Sequence, residues 1–397
     1  MARGQTADGK DLLRHASRSI FLTGVGDTAE ALCRANMAYG LAKVHWVQRG
    51  MGLPPDACFV GAPDATITRN VERWESGFSY GGRIRYSGDF AVLSVKSNCC
   101  GIYFGVVADT PGPDAVLEGI RRLQSQRPEV SGTALTWDFG NSNHFISVLR
   151  LRDPIRNRTA AVMVHGSGPE LRGPGPHGPG LYVDASPRLR QLAETVDTPL
   201  GPVTIVRGAG LAEYWDGYRA AEAHSRQRRK LIADALFPGV EEVSNTTHQG
   251  LLAPNDIVLG CIAQAPGVPV PLALRADLPV PIVEMLPNLA PHVLERTGIG
   301  PWARQLGLYD RVAHANILPH GGGYTLPGLK RLEAVSQIPA GRVFELSTGK
   351  GRSARVFHRN FRHVPFGYRG EEVLRQVESL ELGRVLTVGD PEHEYMV

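Results

Sequence analysis

Apolar residues recur at steps of three and four over residues 28–48, where Leu32, Ala35, Tyr39, Ala42 and Trp46 fall on one side, and this spacing predicts a helix. The period then changes. Between residues 82 and 107, Ile84, Tyr86, Phe90, Val92, Leu93 and Val95, followed by Ile102, Phe104 and Val106, predict strands flanking a turn at Ser97-Asn98-Cys99-Cys100-Gly101. A short amphipathic helix is expected over 114–126, and strands over 144–151 and 160–165, the second a continuous apolar run of the buried kind. The glycine- and proline-rich stretch 167–180 reads as a loop. Residues 211–237 carry the longest helical pattern, which Pro238-Gly239 ends. Residues 266–291 read as apolar, proline-rich and irregular.

Strands and helices alternate without a P-loop or a complete dinucleotide fingerprint, of which Gly24-Val25-Gly26 is a fragment only. No clean linker, internal repeat or low-complexity tract interrupts the chain. The pattern therefore predicts an α+β fold, a single large domain over 1–397 with an N-terminal helical segment over 1–59 and a central, sheet-built pocket.

Composition narrows the class. Hydrophobic residues make up 42% and charged residues 21% of the 397 positions, which is globular and argues against disorder. No apolar run reaches the roughly 18 residues that span a bilayer. Residues 1–18 are polar and basic, without the apolar core of a secretory signal, so a cytoplasmic location and no membrane partner are expected. The five cysteines (Cys33, Cys58, Cys99, Cys100 and Cys261) are too few and too scattered for a disulfide framework, and a bridge between the adjacent Cys99 and Cys100 would be strained. Free thiols are the expectation, and one is available as a ligand. A formal net charge of +4 does not demand a nucleic-acid partner. Two basic clusters, Arg226-Gln227-Arg228-Arg229-Lys230 and residues 350–362, read either as phosphate-contacting patches or as solvated faces.

Four residues are candidate metal donors: Cys100 in the turn after a strand, His144 opening a strand, His165 closing one, and His248 in Asn245-Thr246-Thr247-His248-Gln249-Gly250. Donors at strand ends can converge on one rim of a sheet, and a thiolate with imidazoles suits zinc, manganese, iron or cobalt. Each taken alone also reads as an ordinary buried cysteine or hydrogen-bonded histidine. A fifth segment, Leu318-Pro319-His320-Gly321-Gly322-Gly323-Tyr324, sets a histidine before three glycines. Such a run lets backbone amides approach an anion, with the imidazole placed to attack or orient a phosphate; the simpler reading is a glycine-rich turn.

Taken in order, these segments resemble the RtcB family of RNA ligases. The resemblance begins near Ala62-Pro63-Asp64 and runs through Ser97-Asn98-Cys99-Cys100-Gly101, Gly140-Asn141-Ser142-Asn143-His144-Phe145-Ile146 and Val162-Met163-Val164-His165-Gly166-Ser167-Gly168. It continues through the helix over 214–232, His248, His320-Gly321-Gly322-Gly323 and Val364-Pro365-Phe366-Gly367-Tyr368-Arg369, so that residues 60–397 carry it. The resemblance implies that Cys100, His144, His165 and His248 bind Mn2+, or Zn2+ or another divalent metal, and that His320 is the catalytic nucleophile taking a guanylate from GTP. That guanylate would activate an RNA 3′-phosphate for attack by a 5′-hydroxyl. Asn143, Phe145, Gly321, Gly322 and Tyr368 would line the nucleotide site.

The chain departs from the family's pattern at several points. Ser97 stands where the family has an aspartate bridging to a second metal, Ser147 where it has a glutamate, and Tyr324 where an arginine closes its glycine segment. The family's basic segment after the fourth ligand has no counterpart over 251–283, and its guanine-contacting C-terminal lysine is missing. One tightly held metal and blunted guanine selectivity are therefore expected. The alternative is a divergent metalloenzyme of this fold acting on another phosphorylated or small-molecule substrate, without RNA ligation; a catalytically dead RNA- or partner-binding homologue is a third reading.

Overall fold

The computed structural model describes residues 7–140, 143–349 and 354–397. Asn141 and Ser142 of the resemblance, and the start of the second basic cluster at Lys350, lie outside the described residues. The architecture is α+β. Among the described residues eleven strands share one sheet, in the spatial order Ile20–Leu22, Cys58–Thr66, Tyr80–Arg85, Asp256–Leu259, Glu241–Ala253, Cys100–Val107, Arg158–Gly166, Phe145–Ile155, Gly383–Tyr395, Val280–Met285 and Pro269–Pro271. The first pair is parallel and the rest are antiparallel. Phe21, Cys58 and Val60 from one end of this order share a buried cluster with Val270, Leu272, Val283 and Met285 from the other. The sheet therefore curls back on itself and encloses an inner face.

Side-chain alternation sorts residues between that inner face and an outer, helix-covered one. On Cys100–Val107, Ile102, Phe104 and Val106 join Leu149, Leu151, Ala161, Met163, Val280 and Ile282 in one cluster. Tyr103 instead packs with Val162, Val164, Ile232 and Phe237 beneath the helices. By the same parity Cys100 follows Ile102 and His165 follows Met163, so both donors belong to the inner face and extend its apolar floor.

The helices sit close to where the pattern places them, over Thr28–Gly50, Pro113–Gln126 and Ala209–Leu236. Asp27 caps the first, its side chain accepting from Glu30 N at 2.9 Å. Two readings change. Cys100 is the first residue of its strand and not part of the turn, because Cys99 takes the left-handed conformation (φ 57°) and closes the turn before it. Residues 266–291 are not irregular throughout: Pro269–Pro271 is the edge strand of the sheet, and Val280–Met285 is a strand with Pro281 one residue from its start. Within the described residues no helix is long and apolar enough to cross a membrane.

Candidate metal centre

Three neighbouring strands and a loop bring four donors together. Cys100 Sγ lies 3.3 Å from His165 Nε2 and 3.5 Å from His144 Nε2, and His165 Nε2 lies 3.3 Å from His248 Nε2. The donor atoms of Cys100, His165 and His248 all fall within 4.8 Å of one another, and all three residues are buried. His144 joins this trio through the sulfur. Register explains the convergence. His165 pairs with Ile102 on one side and Phe145 on the other, which sets His144 one residue beyond its strand. His248 enters through a bulge between Thr247 and Gln249, opposite Gly101 and Cys100. A bulge inserts one extra residue and re-aims its side chain.

The spacing fits a metal. Tetrahedral coordination with bonds of about 2.0–2.3 Å requires donor–donor edges of about 3.3–3.7 Å. The Cys100–His165, Cys100–His144 and His165–His248 contacts lie in that range, and the group whose donors all lie within 4.8 Å of one another is Cys100, His165 and His248. Hydrogen bonds at the far nitrogens turn the near ones inward. His165 Nδ1 donates to the Asn143 carbonyl at 3.0 Å, and His144 Nδ1 meets Asp138 Oδ2 at 2.5 Å. In both rings this leaves Nε2 facing the sulfur. Asp138 is held in turn by Arg228, whose Nη2 donates to Asp138 Oδ1 at 2.8 Å and to the Thr136 carbonyl at 2.7 Å. The basic cluster over 226–230 is thus neither a phosphate patch nor simply a solvated face. Arg228 and Arg229 are fully buried, and Arg229 donates to Asn245 Oδ1 and to the carbonyls of Cys99 and Gly166, bracing the two strands that carry Cys100 and His165. Arg226 and Lys230 remain on the solvent side.

Charge is distributed accordingly. Burial by itself would push the Cys100 thiol up, yet the imidazoles of His165 and His144 hold it well below its ordinary value. Burial opposes a charged His144, but the Cys100 sulfur and the Asp138 carboxylate raise it to about 9. Burial drives His248 down to about 3. The imidazoles thus favour the thiolate form of Cys100, the sulfur and Asp138 favour a protonated His144, and burial favours a neutral His248. Replacing Asp138 with asparagine removes the carboxylate that orients His144, and metal affinity is expected to fall about 10–100-fold while the fold persists; competition against a chelator measures it, and an unchanged affinity would show that His144 needs no such support.

His320 lies on the opposite wall, its ring 4.9 Å from that of His248 and 5.4 Å from that of Tyr80. Asp64, fully buried, accepts from His320 Nδ1 at 2.7 Å and from the His320 backbone N–H at 3.1 Å. This fixes Nδ1 as the protonated nitrogen and leaves the Nε2 lone pair free. Sequence reading passed over both acids, although Asp64 stands in the quoted Ala62-Pro63-Asp64 and Asp138 lies six residues before His144. The glycines prove to serve packing as well. A Cβ on Gly322 would strike the Arg369 and Leu274 carbonyls, and Gly323, at φ 64°, lies against the Asp64 carbonyl. Only glycine lets this loop close over the acid. Arg369 secures the loop from behind, bonding bidentately to Asp27 at 2.7 and 2.9 Å.

Donors and His320 share one cavity of about 440 Å³, which Asn143, Phe145, Gly321, Gly322 and Tyr368 also line. Arg69, Arg73 and Arg172 add positive charge to its walls, Arg275 stands there paired with Asp277, and Tyr324 and Tyr368 place their rings 5.3 Å apart beside it. Ser147 faces Glu394 across the paired strands, its Oγ donating to Glu394 Oε2 at 3.4 Å, so a carboxylate enters the cavity here from the neighbouring strand. Ser97, by contrast, is buried with its hydroxyl unpartnered.

Fold and cluster together define an α+β protein whose curled sheet encloses a buried Cys–His–His group able to hold a metal ion. No family model matches the chain. No curated protein matches it significantly either.

Proposed function

We propose that this protein is a metal-dependent nucleotidyl-transfer enzyme resembling the RtcB RNA ligases, with His320 as its nucleophile. One observation carries the reading: a histidine backed by a buried carboxylate opens into the same arginine-lined cavity as a thiolate–imidazole metal cluster. Asp64 holds the Nδ1 proton, so the Nε2 lone pair is directed at phosphorus. Attack at the α-phosphorus of a nucleoside triphosphate forms a P–N bond, breaks the bond to the bridging oxygen and releases pyrophosphate. An RNA 3′-phosphate oxygen then takes the nucleotidyl group and restores the imidazole. Attack by a 5′-hydroxyl oxygen on that activated phosphate expels the nucleoside monophosphate, and the hydroxyl proton passes to solvent. Cys100, His144, His165 and His248 would hold a divalent metal such as Mn2+ or Zn2+, which when bound supplies charge neutralisation at the transferring phosphoryl group. Arg69, Arg73 and Arg172 supply further positive charge for phosphates, Arg275 being paired with Asp277. Tyr324 and Tyr368 offer faces on which a base can stack.

A second reading keeps the metal and His320 but replaces RNA with a smaller phosphorylated substrate. The apolar part of the cavity favours it, since Ile102, Leu149, Met163, Leu278 and Val280 line the same space. Incubation with Mn2+ and GTP labelled at the α-phosphate separates the two. Acid-labile, alkali-stable label on the protein is the expected result. Metal uptake without label under conditions that preserve the fold would favour the second reading.

A further inference from the structure

A second cavity of about 470 Å³ lies between the Thr28–Gly50 helix, the short Val71–Ser76 helix and the turn joining the Leu329–Ile338 and Gly341–Thr348 strands. Two cations are driven deep into its wall: Lys43 is 2% exposed and Arg342 7%. Lys43 Nζ donates to the carbonyls of Ser76 and Pro202, each at 3.1 Å, which leaves one of its three N–H groups uncommitted. Arg342 Nη2 donates to the carbonyls of Trp74 at 2.6 Å and Glu75 at 2.9 Å, while its Nε is buried without a partner. Among the described residues no carboxylate bonds directly to either group, although Glu75 lies near enough to favour the Arg342 charge and the guanidinium also lies 4.6 Å over the Tyr39 ring. Glu72 pairs with Lys96, and Glu75 with Arg359 at 3.3 Å.

Two neighbouring buried basic groups with no directly bonded carboxylate are expensive to keep charged, since each loses its hydration and each repels the other. Burial, and then Arg342, push the Lys43 ammonium down to about 7. The cavity is also shaped for access to these groups: Gly201 (φ 95°) stands beside Lys43 Nζ and leaves the approach to it clear. Gln337 adds a buried, unpartnered Oε1, an acceptor for one protonated oxygen.

We propose that this cavity binds a phosphate-type oxyanion, either free phosphate or the phosphate of a phosphomonoester, between Lys43 and Arg342 with Arg359 at its rim. Two buried basic side chains with uncommitted N–H groups suit phosphate oxygens, and the Gln337 acceptor suits the P–OH of the free ion or of a singly protonated monoester. The site is separate from the metal centre. Arg73 lines the His320 cavity, whereas Glu72, Glu75 and Ser76 of the same short helix line this one.

Calorimetric titration of the full-length chain with inorganic phosphate at fixed ionic strength tests the site, with methyl phosphate as a second probe. Lys43→Met is expected to weaken phosphate binding at least tenfold. Ala340→Glu should do the same, because Ala340 is exposed on the turn lining the cavity and its glutamate supplies a carboxylate to the two cations without entering the core. The second variant keeps the test decisive should the first fold poorly. Methyl phosphate binding as well as phosphate identifies a phosphomonoester ligand; phosphate binding alone identifies the free ion. Phosphate affinity unchanged in a folded Ala340→Glu protein, or no phosphate binding to the wild type at millimolar concentration, would overturn the proposal.

Discussion

Alanine in place of His320 is expected to abolish nucleotidyl labelling, by more than about a thousandfold, because no other side chain on that wall offers a lone pair at the same point. Metal content should stay near the wild-type level, as His320 lies outside the Cys100–His165–His248 group and meets it ring to ring at His248. Stability is a separate matter. His320 shields a fully buried carboxylate, and its Nδ1–H is one of two donors to Asp64 Oδ2; among the described residues Asp64 Oδ1 has no hydrogen-bond partner. Removing the ring leaves that acid less satisfied, and a loss of about 1–3 kcal/mol is expected. His320→Gln distinguishes the two effects. Its amide N–H can still reach Asp64 and recover the melting temperature, but it has no nucleophilic nitrogen and should remain inactive. Labelling of the glutamine variant above a few per cent of wild type would remove His320 from the chemistry.

Cys100→Ala should lower metal affinity by more than about a hundredfold, since it removes the only sulfur of the cluster and the atom toward which two imidazoles turn. The pH dependence gives a sharper signature. In the wild type the metal-free pair of Cys100 and His144 holds one proton, with His144 raised to about 9 and the thiol lowered. A metal takes the imidazole only in its neutral form, so binding must displace that proton at any pH below about 9. Affinity should therefore rise with pH, about tenfold per unit between pH 7 and 9, and level off above. His248, held near 3 by burial, adds no dependence in this window. Without the sulfur, the leading influence that raises His144 disappears, so the slope between pH 7 and 9 should flatten in the alanine variant. Chelator competition at pH 7, 8 and 9 measures both quantities. A wild-type affinity independent of pH would contradict the thiolate–imidazolium state.

Part of this organisation is local, and such parts are legible in the chain itself. The apolar period of 28–48 and 211–237 marks two helices because a helix shows its buried side every three or four residues whatever it packs against. Strand alternation likewise assigns His165 the parity of Met163, whereas Cys100, which reads as a turn residue, shares the parity of Ile102 only because Cys99 closes the turn before it. The order of the resembling segments singled out Cys100, His144, His165, His248 and His320, and the tertiary structure brings these residues around one cavity.

What only the tertiary structure decided are the pairings across elements. A period says which face of a strand is buried, but not which face of which other element lies opposite. Thus Arg228 and Arg229, which look like members of an exposed basic run, turn inward to brace Asp138 and two strands. Asp64 meets His320 across 256 residues, and Glu394 meets Ser147 across 247, restoring a carboxylate where the chain by itself reads as lacking one. The Val280–Met285 strand was hidden by its prolines, since local propensity counts a missing N–H as a break whereas the sheet needs that donor only where a neighbour faces it. The same holds for Lys43: its helical position was plain from the period, but its burial beside Arg342 exists only because a distant hairpin folds over it.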